Sequence, residues 1–332
     1  MSILIDILLE SVRDEFAKKE PEWSHAPMTD SDKLFLENEC TKDSEFDPSN
    51  KRKTMYESLV KGDAPVVIVS SPYAQLTVVF ENKQQTEEFP WGLWSRIFRL
   101  YHEKNKPTRP FKVYMMANTN VRKFPPGKKP ITPENINGGY TYPCNRETIL
   151  IYRAEDATRV LLHELMHSCC LDNQALGVDQ VEAETEAWAE LVYVAFLSEG
   201  DPAVFKDLLG LQRTWMVSQN EEVKKHMSNP SSKEFPWRYT LGKEEVWRRW
   251  GLFAASNGMN SPVSNISSSS SDTKGRDVSS KERGSSSAKI RQNRNQSNTA
   301  KNPTTRMSLR LTFPVDRVIK RRFHVKESST IL

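Results

Sequence analysis

Residues 160–197 read VLLHELMHSCCLDNQALGVDQVEAETEAWAELVYVAFL, and this stretch decides how the remainder is read. His163, Glu164 and His167 form the pattern HExxH. On a helix the two histidines lie one turn apart on the same face. Imidazoles so placed bind one Zn²⁺, and a glutamate between them reaches a water on the metal. Val160, Leu161, Leu162, Leu165 and Met166 supply the buried side such a helix needs. The bland alternative, a pair of core or surface histidines, leaves this spacing unexplained.

Charge points the same way. No Lys or Arg occurs between Arg159 and Lys206, yet Glu182, Glu186 and Glu190 recur at i, i+4 and i+8. Like charges at that spacing cost a helix roughly 0.2–0.5 kcal/mol per pair. No basic residue is close in sequence, so a bound divalent cation is expected to relieve the repulsion. A solvated helix face is the alternative reading of these glutamates.

Outward from this stretch, the pattern predicts an α+β domain. Strands are expected at residues 65–69, 76–80, 111–116 and 148–153, the last feeding the HExxH helix almost directly. Helices are expected from Pro90 through Leu100, from about Gln180 to Leu197, from Asp201-Pro202 as N-cap and N1 through Trp215, and over residues 243–253. The irregular connection 117–147 is rich in Pro and Gly. Three segments follow: a helical segment 1–60 packed on the domain, the domain itself at 61–256, and a Ser-rich tail 257–332. Lys51-Arg52-Lys53 reads as solvated surface, and Tyr140 and Tyr142 as loop packing.

The tail holds 15 basic and 5 acidic residues and too few apolar ones to fold, so disorder is expected. Lys320-Arg321-Arg322 makes it a candidate contact for nucleic acid. Leu309, Leu311, Phe313 and Val315 form a short apolar patch that suits docking on the domain. No apolar run reaches the length of a membrane span, so no membrane partner is expected. The N-terminus lacks a basic region, and Asp6 interrupts its apolar stretch, which argues against a secretion signal. With four cysteines and no CxxC, reduced thiols in an intracellular protein, cytoplasmic or nuclear, are expected. Cys169 and Cys170 read as buried helix-end residues, with metal ligation as the alternative.

Four motifs carry a family resemblance: Asn137-Gly138-Gly139-Tyr140-Thr141, Ile149-Leu150-Ile151-Tyr152-Arg153-Ala154-Glu155, HELMH, and Glu182-Ala-Glu-Thr-Glu186-Ala-Trp-Ala. Over about residues 135–197 the chain resembles the zinc metallopeptidase-like proteins of large DNA viruses, and more generally the gluzincins. The resemblance implies a zincin-like fold and a zinc peptidase acting on a polypeptide substrate. His163 and His167 would be ligands, Glu164 the general base and Glu182 the third ligand. Glu182 follows His167 by 15 positions. That is short for a gluzincin, and Glu186 fits the usual gap better, so Glu186 stands as the alternative ligand. Whichever glutamate is not the ligand would hydrogen-bond a ligand histidine. Gluzincins draw an oxyanion donor from downstream of the ligand helix, which points to Tyr239, with Tyr193, His226 and Arg238 as rivals. The strand at 148–152 would offer its edge to an extended peptide. The competing function is a catalytically inactive zincin-like protein that uses its basic tail to bind nucleic acid or protein partners.

Overall fold

The computed structural model describes residues 3–105, 109–253 and 307–314. It is an α+β fold with a six-stranded mixed sheet and, among the described residues, eleven helices. The strands are β1 (Ser24–His25), β2 (Val66–Ser70), β3 (Ala74–Phe80), β4 (Phe111–Ala117), β5 (Gly139–Tyr140) and β6 (Ile149–Ile151). Their spatial order is β1-β2-β3-β4-β6-β5. β1, β2 and β3 are antiparallel neighbours, β4 is parallel to β3 and to β6, and β5 is antiparallel to β6.

The first six helices are α1 (Ile3–Ala17), α2 (Asp30–Thr41), α3 (Lys51–Lys61), α4 (Lys83–Glu88), α5 (Trp91–Asn105) and α6 (Pro133–Ile136). Then come α7 (Ala157–Ser168), α8 (Val178–Leu197), α9 (Pro202–Lys224), α10 (Phe235–Tyr239) and α11 (Leu241–Arg249). The Asp201-Pro202 signal holds: Asp201 Oδ1 accepts from the amides of Ala203 and Val204 at 2.8 and 2.9 Å. The helix it opens continues past Trp215 to Lys224.

Side chains alternate across a strand, and this divides the core. Val78, Phe80, Val113, Met115, Ile149 and Ile151 face the cluster shared with α1, α5, α7 and α8. Val79, Tyr114, Met116, Leu150 and Tyr152 face Leu36 and Cys40 of α2 and Met55 of α3. With both faces covered, β3, β4 and β6 read as largely apolar runs, broken by Gln75, Thr77 and Lys112, which is why the sequence shows them. β1 and β5 are two residues long and leave no periodic signal.

Four expectations change. Lys51 and Arg52 are buried, not solvated. Arg52 pairs with Asp47 at 3.1 Å and donates to Tyr140 Oη at 2.9 Å, so it braces the β5 loop. Cys144 and Cys170 are joined in a disulfide, against the expectation of four reduced thiols. β6 lies between β4 and β5, so the strand at 148–152 has no free edge. Finally, the tail is not wholly separate. Residues 307–314 belong to the same compact unit as the chain up to Phe253. Leu309 and Leu311 are buried and Phe313 half-buried, while Val315 lies outside the described residues. The expectations of disorder and of a basic contact at Lys320-Arg321-Arg322 also fall outside them. Among the described residues no helix is long and apolar enough to cross a membrane.

One buried carboxylate ties α2 to the sheet. Asp32 accepts from Thr29 Oγ1 at 2.6 Å, Tyr114 Oη at 2.8 Å, the Thr29 amide at 3.0 Å, and Gln75 Nε2 and Lys112 Nζ at 3.1 Å. Burial alone would raise its pKa, but these donors outweigh it and hold the group at about 2 against an ordinary 3.8. A carboxylate depressed on folding stabilises fully above its unfolded value and loses that contribution as pH falls through its folded one. Denaturant unfolding should therefore show stability dropping between about pH 4 and about pH 2. In Asp32→Asn, stability at pH 7 should be lower and this acid dependence flatter. An unchanged acid profile in the variant would remove Asp32 from the account.

Candidate metal centre

α7 begins at Asp156, a left-handed N-cap with φ 61°. Its carboxylate pairs with Arg122 at 3.5 Å and with Arg310. Arg153, also buried, donates to the carbonyls of Asn120, Glu134 and Asn137. These two arginines, Arg122 and Arg153, gather the long 117–147 connection and lay β5 beside α7. Gly138 and Gly139 fit that approach. A Cβ on Gly138 would stand 2.7 Å from the Arg122 guanidinium, and one on Gly139 would stand 2.8 Å from the Val160 side chain.

The far end of α7 closes with Cys170 in the left-handed conformation at φ 55°. The amides of Cys170 and Leu171 return to the carbonyls of His167 and Met166 at 3.1 and 3.0 Å. This is the Schellman arrangement, usually built on glycine. Here the left-handed residue is tied by disulfide to Cys144, whose own amide donates to the His167 carbonyl at 2.9 Å. The reversal brings Asp172 back over the helix end, where its Oδ2 lies 2.8 Å from His167 Nδ1.

Three groups converge on one point. His163 Nε2 and His167 Nε2 are 3.0 Å apart. Glu182 Oε2 lies 3.3 Å from the first and Glu182 Oε1 lies 3.8 Å from the second. His163, His167 and Glu182 are the group among the described residues whose ligand atoms all lie within 4.8 Å of one another. For metal–ligand bonds near 2.1 Å, a tetrahedral ion separates its ligand atoms by about 3.4 Å. With Nδ1 of His167 donating to Asp172, its Nε2 presents a lone pair. The donor set therefore fits a small divalent cation.

Glu186 does something else. It pairs with Arg159, and its Oε1 lies 3.1 Å from His163 Nδ1, on the side of the ring away from Glu182. The approach to Nδ1 is not aligned for a hydrogen bond, and that nitrogen has no hydrogen-bond partner among the described residues. Glu186 thus stands behind a histidine and outside the converging triad. Glu190, one turn on, is wholly buried and takes Arg159 at 3.3 Å and Lys243 at 3.1 Å. The expected relief of the three glutamates by a cation alone is corrected: only Glu182 faces the triad. Arg159 and Lys243 neutralise the other two. Arg159 was recoverable from sequence, since it sits one turn before His163 on the same face; Lys243 comes from another helix and was not. Cys169 is buried in the core and outside the triad.

The triad opens into a cleft of about 440 Å³, walled by α7, α8, β5 and Tyr239. Burial pushes the His163 imidazole down to about 4, so it is neutral near pH 7. Burial also opposes protonation of His167, but Glu164, Glu182 and Asp172 overcome this and raise its pKa. Glu182 is the converse: burial raises it, while His163 and His167 pull it lower overall. Glu164 lines the same cleft, and burial lifts it to about 8. Among the described residues no hydrogen bond holds its carboxylate. Burial and the nearby Glu182 and Glu164 raise the Tyr239 pKa, leaving its hydroxyl a donor. The rivals of Tyr239 do not line the cleft. Tyr193 lies in the core, His226 Nδ1 is 2.8 Å from the Lys129 carbonyl, and Arg238 binds Asp179 at 2.6 Å.

Comparison of the chain with family models, curated proteins and solved structures finds no match. The geometry itself makes a test. Titration with Zn²⁺ or Co²⁺ should give one tight site per chain, lost in His163→Ala and His167→Ala and strongly weakened in Glu182→Ala. Glu186→Ala should lose only about 10–100-fold in affinity, through the ring it supports. An empty site in Glu186→Ala beside a full one in Glu182→Ala would reverse the two roles.

Proposed function

We propose that the chain is a zinc-dependent peptidase of the gluzincin type, as its resemblance to the metallopeptidase-like proteins of large DNA viruses implies. The observation that carries this is the contrast among three neighbouring carboxylates. Glu182 converges with two imidazole nitrogens, Glu186 is held by Arg159, and Glu164 is buried in the cleft wall with no hydrogen bond from a described residue. A structural zinc site closes with four protein ligands, whereas three ligands and an idle base suit hydrolysis.

Bound by His163, His167 and Glu182, a zinc ion supplies Lewis acidity toward a water and a substrate carbonyl. Glu164 takes a proton from the attacking water and delivers it to the leaving amine, so one C–O bond forms as the C–N bond breaks. Its raised pKa suits a group that must accept and then release a proton near neutrality. Tyr239 donates its hydroxyl to the oxygen that gains charge. Asp172 holds His167 by its outer nitrogen, and the Arg159–Glu186 pair stands behind His163. Residues 138–141 line the cleft, and β5 is the last strand of the sheet. An extended polypeptide can therefore lie along that edge, a role the sequence suggested for the strand now found one place further in.

The decisive experiment separates base from ligand. Glu164→Gln should keep its zinc while hydrolysis of a peptide library falls by roughly 10²–10⁴. Tyr239→Phe should lower kcat by about 10²–10³ with zinc retained. Wild-type hydrolysis by Glu164→Gln would refute the mechanism. Zinc binding without hydrolysis in the wild type would favour the inactive, partner-binding alternative.

A further inference from the structure

The segment 307–314 has neither helix nor strand, yet side chains of the domain hold its backbone along its length. Gln219 Nε2 donates to the carbonyls of Ser308 and Arg310 at 3.0 and 2.7 Å, and Trp215 Nε1 donates to the latter at 3.1 Å. Lys243 Nζ donates to the Leu311 carbonyl at 2.8 Å, and Gln212 Oε1 accepts the Phe313 amide at 2.7 Å. Leu309 and Leu311 are buried, and Phe313 packs edge-on against Trp215 at 5.9 Å. Backbone read by fixed side chains, with apolar anchors at every second position, is how a groove receives an extended peptide.

The segment also ends in the charge network behind the metal centre. Thr312 Oγ1 donates to Glu190 Oε1 at 2.6 Å. Arg159 Nε donates to Glu190 Oε2 at 3.3 Å and Arg159 Nη1 to Glu186 Oε1 at 3.1 Å, and that oxygen stands 3.1 Å from His163 Nδ1. All four charged or polar residues after Thr312 in this series are buried. Without Thr312 and the Leu311 carbonyl, Glu190 and Lys243 each lose a buried partner, and an unpaired buried group is costly to hold in place.

We propose that the groove formed by α9, α11 and the start of α7 is a peptide-binding site whose occupant is residues 307–314. Its occupancy tightens the metal centre through Thr312, Glu190, Arg159 and Glu186. The second part rests on the metal reading of the site. Coupling of this kind is reciprocal: zinc must strengthen the segment's hold by the same factor as the segment strengthens zinc's.

The test uses the full chain. Leu309→Asp/Leu311→Asp places two charges where the anchors sit and ejects the segment. Zinc affinity is read by chelator competition, and binding of a fluorescein-labelled peptide spanning residues 306–315 by anisotropy. The double variant should bind zinc at least about 10-fold more weakly than wild type. The added peptide should restore that affinity and itself bind more tightly with zinc present. A peptide carrying Thr312→Val should bind without restoring zinc. A folded double variant with wild-type zinc affinity overturns the coupling, and failure of the peptide to bind it overturns the groove. Should the double variant not fold, full-length Thr312→Val decides: zinc weakened there and preserved in Thr312→Ser supports the proposal, while wild-type affinity in both overturns it. A wild-type chain that takes no zinc at all refutes the metal reading and the coupling with it. Anisotropy with the double variant, or protection of residues 307–314 from hydrogen exchange in wild type if that variant is unfolded, then decides the groove alone.

Discussion

A guanidinium with almost no exposure sits at the centre of this molecule. Arg159 projects from α7 into a space between α7 and α8 where Glu186 and Glu190 wait for it. A buried charge is tolerated only when paired and fully hydrogen-bonded. That requirement fixes the rotation of α8 about its own axis: with Glu186 and Glu190 turned toward Arg159, Glu182 is left one turn earlier on the histidine face. The ion-pair network is thus a registry device. It stabilises little by itself, but a slip of α8 would leave charges stranded without water.

Three glutamates at identical spacing consequently live in three environments. One faces a cavity and two ring nitrogens, one lies between an arginine and the rear of a histidine, and one is sealed between an arginine and a lysine. Identical chemistry along the chain is made unequal by what each residue meets across the helix interface. The same holds for Glu164, which sits between the two histidines on α7 and whose pKa rises through burial. Packing alone makes these carboxylates differ in basicity.

What could be read in advance follows from range. HExxH, the helix after Asp201-Pro202 and the apolar strands β3, β4 and β6 depend on neighbours within a turn or two, and the sequence shows them. Glu182 and Glu186 were both visible, but choosing between them required knowing that Arg159 claims one. Lys243 and the Cys144–Cys170 bridge were misread or missed because their partners, Glu190 and a half-cystine 26 positions away, are remote in the chain, and Arg52, though its acid Asp47 is near, is also buried against Tyr140, 88 positions away. Basic residues look alike in a sequence whether solvated or buried; only the acid on the facing element tells them apart. The apolar patch at residues 309–313 was legible by alternation, while its link to Glu190 through a threonine hydroxyl was not.

The docked segment also bears on the order of assembly. Glu190 meets Arg159 across 31 positions but meets Thr312 across 122. During synthesis the sheet, α7 and α8 leave the ribosome long before residues 307–314 do, and domains begin to fold as they emerge. For that interval the inner face of α8 carries a carboxylate short of one donor. Glu190 therefore gains its last polar contact from a residue translated 122 positions after it.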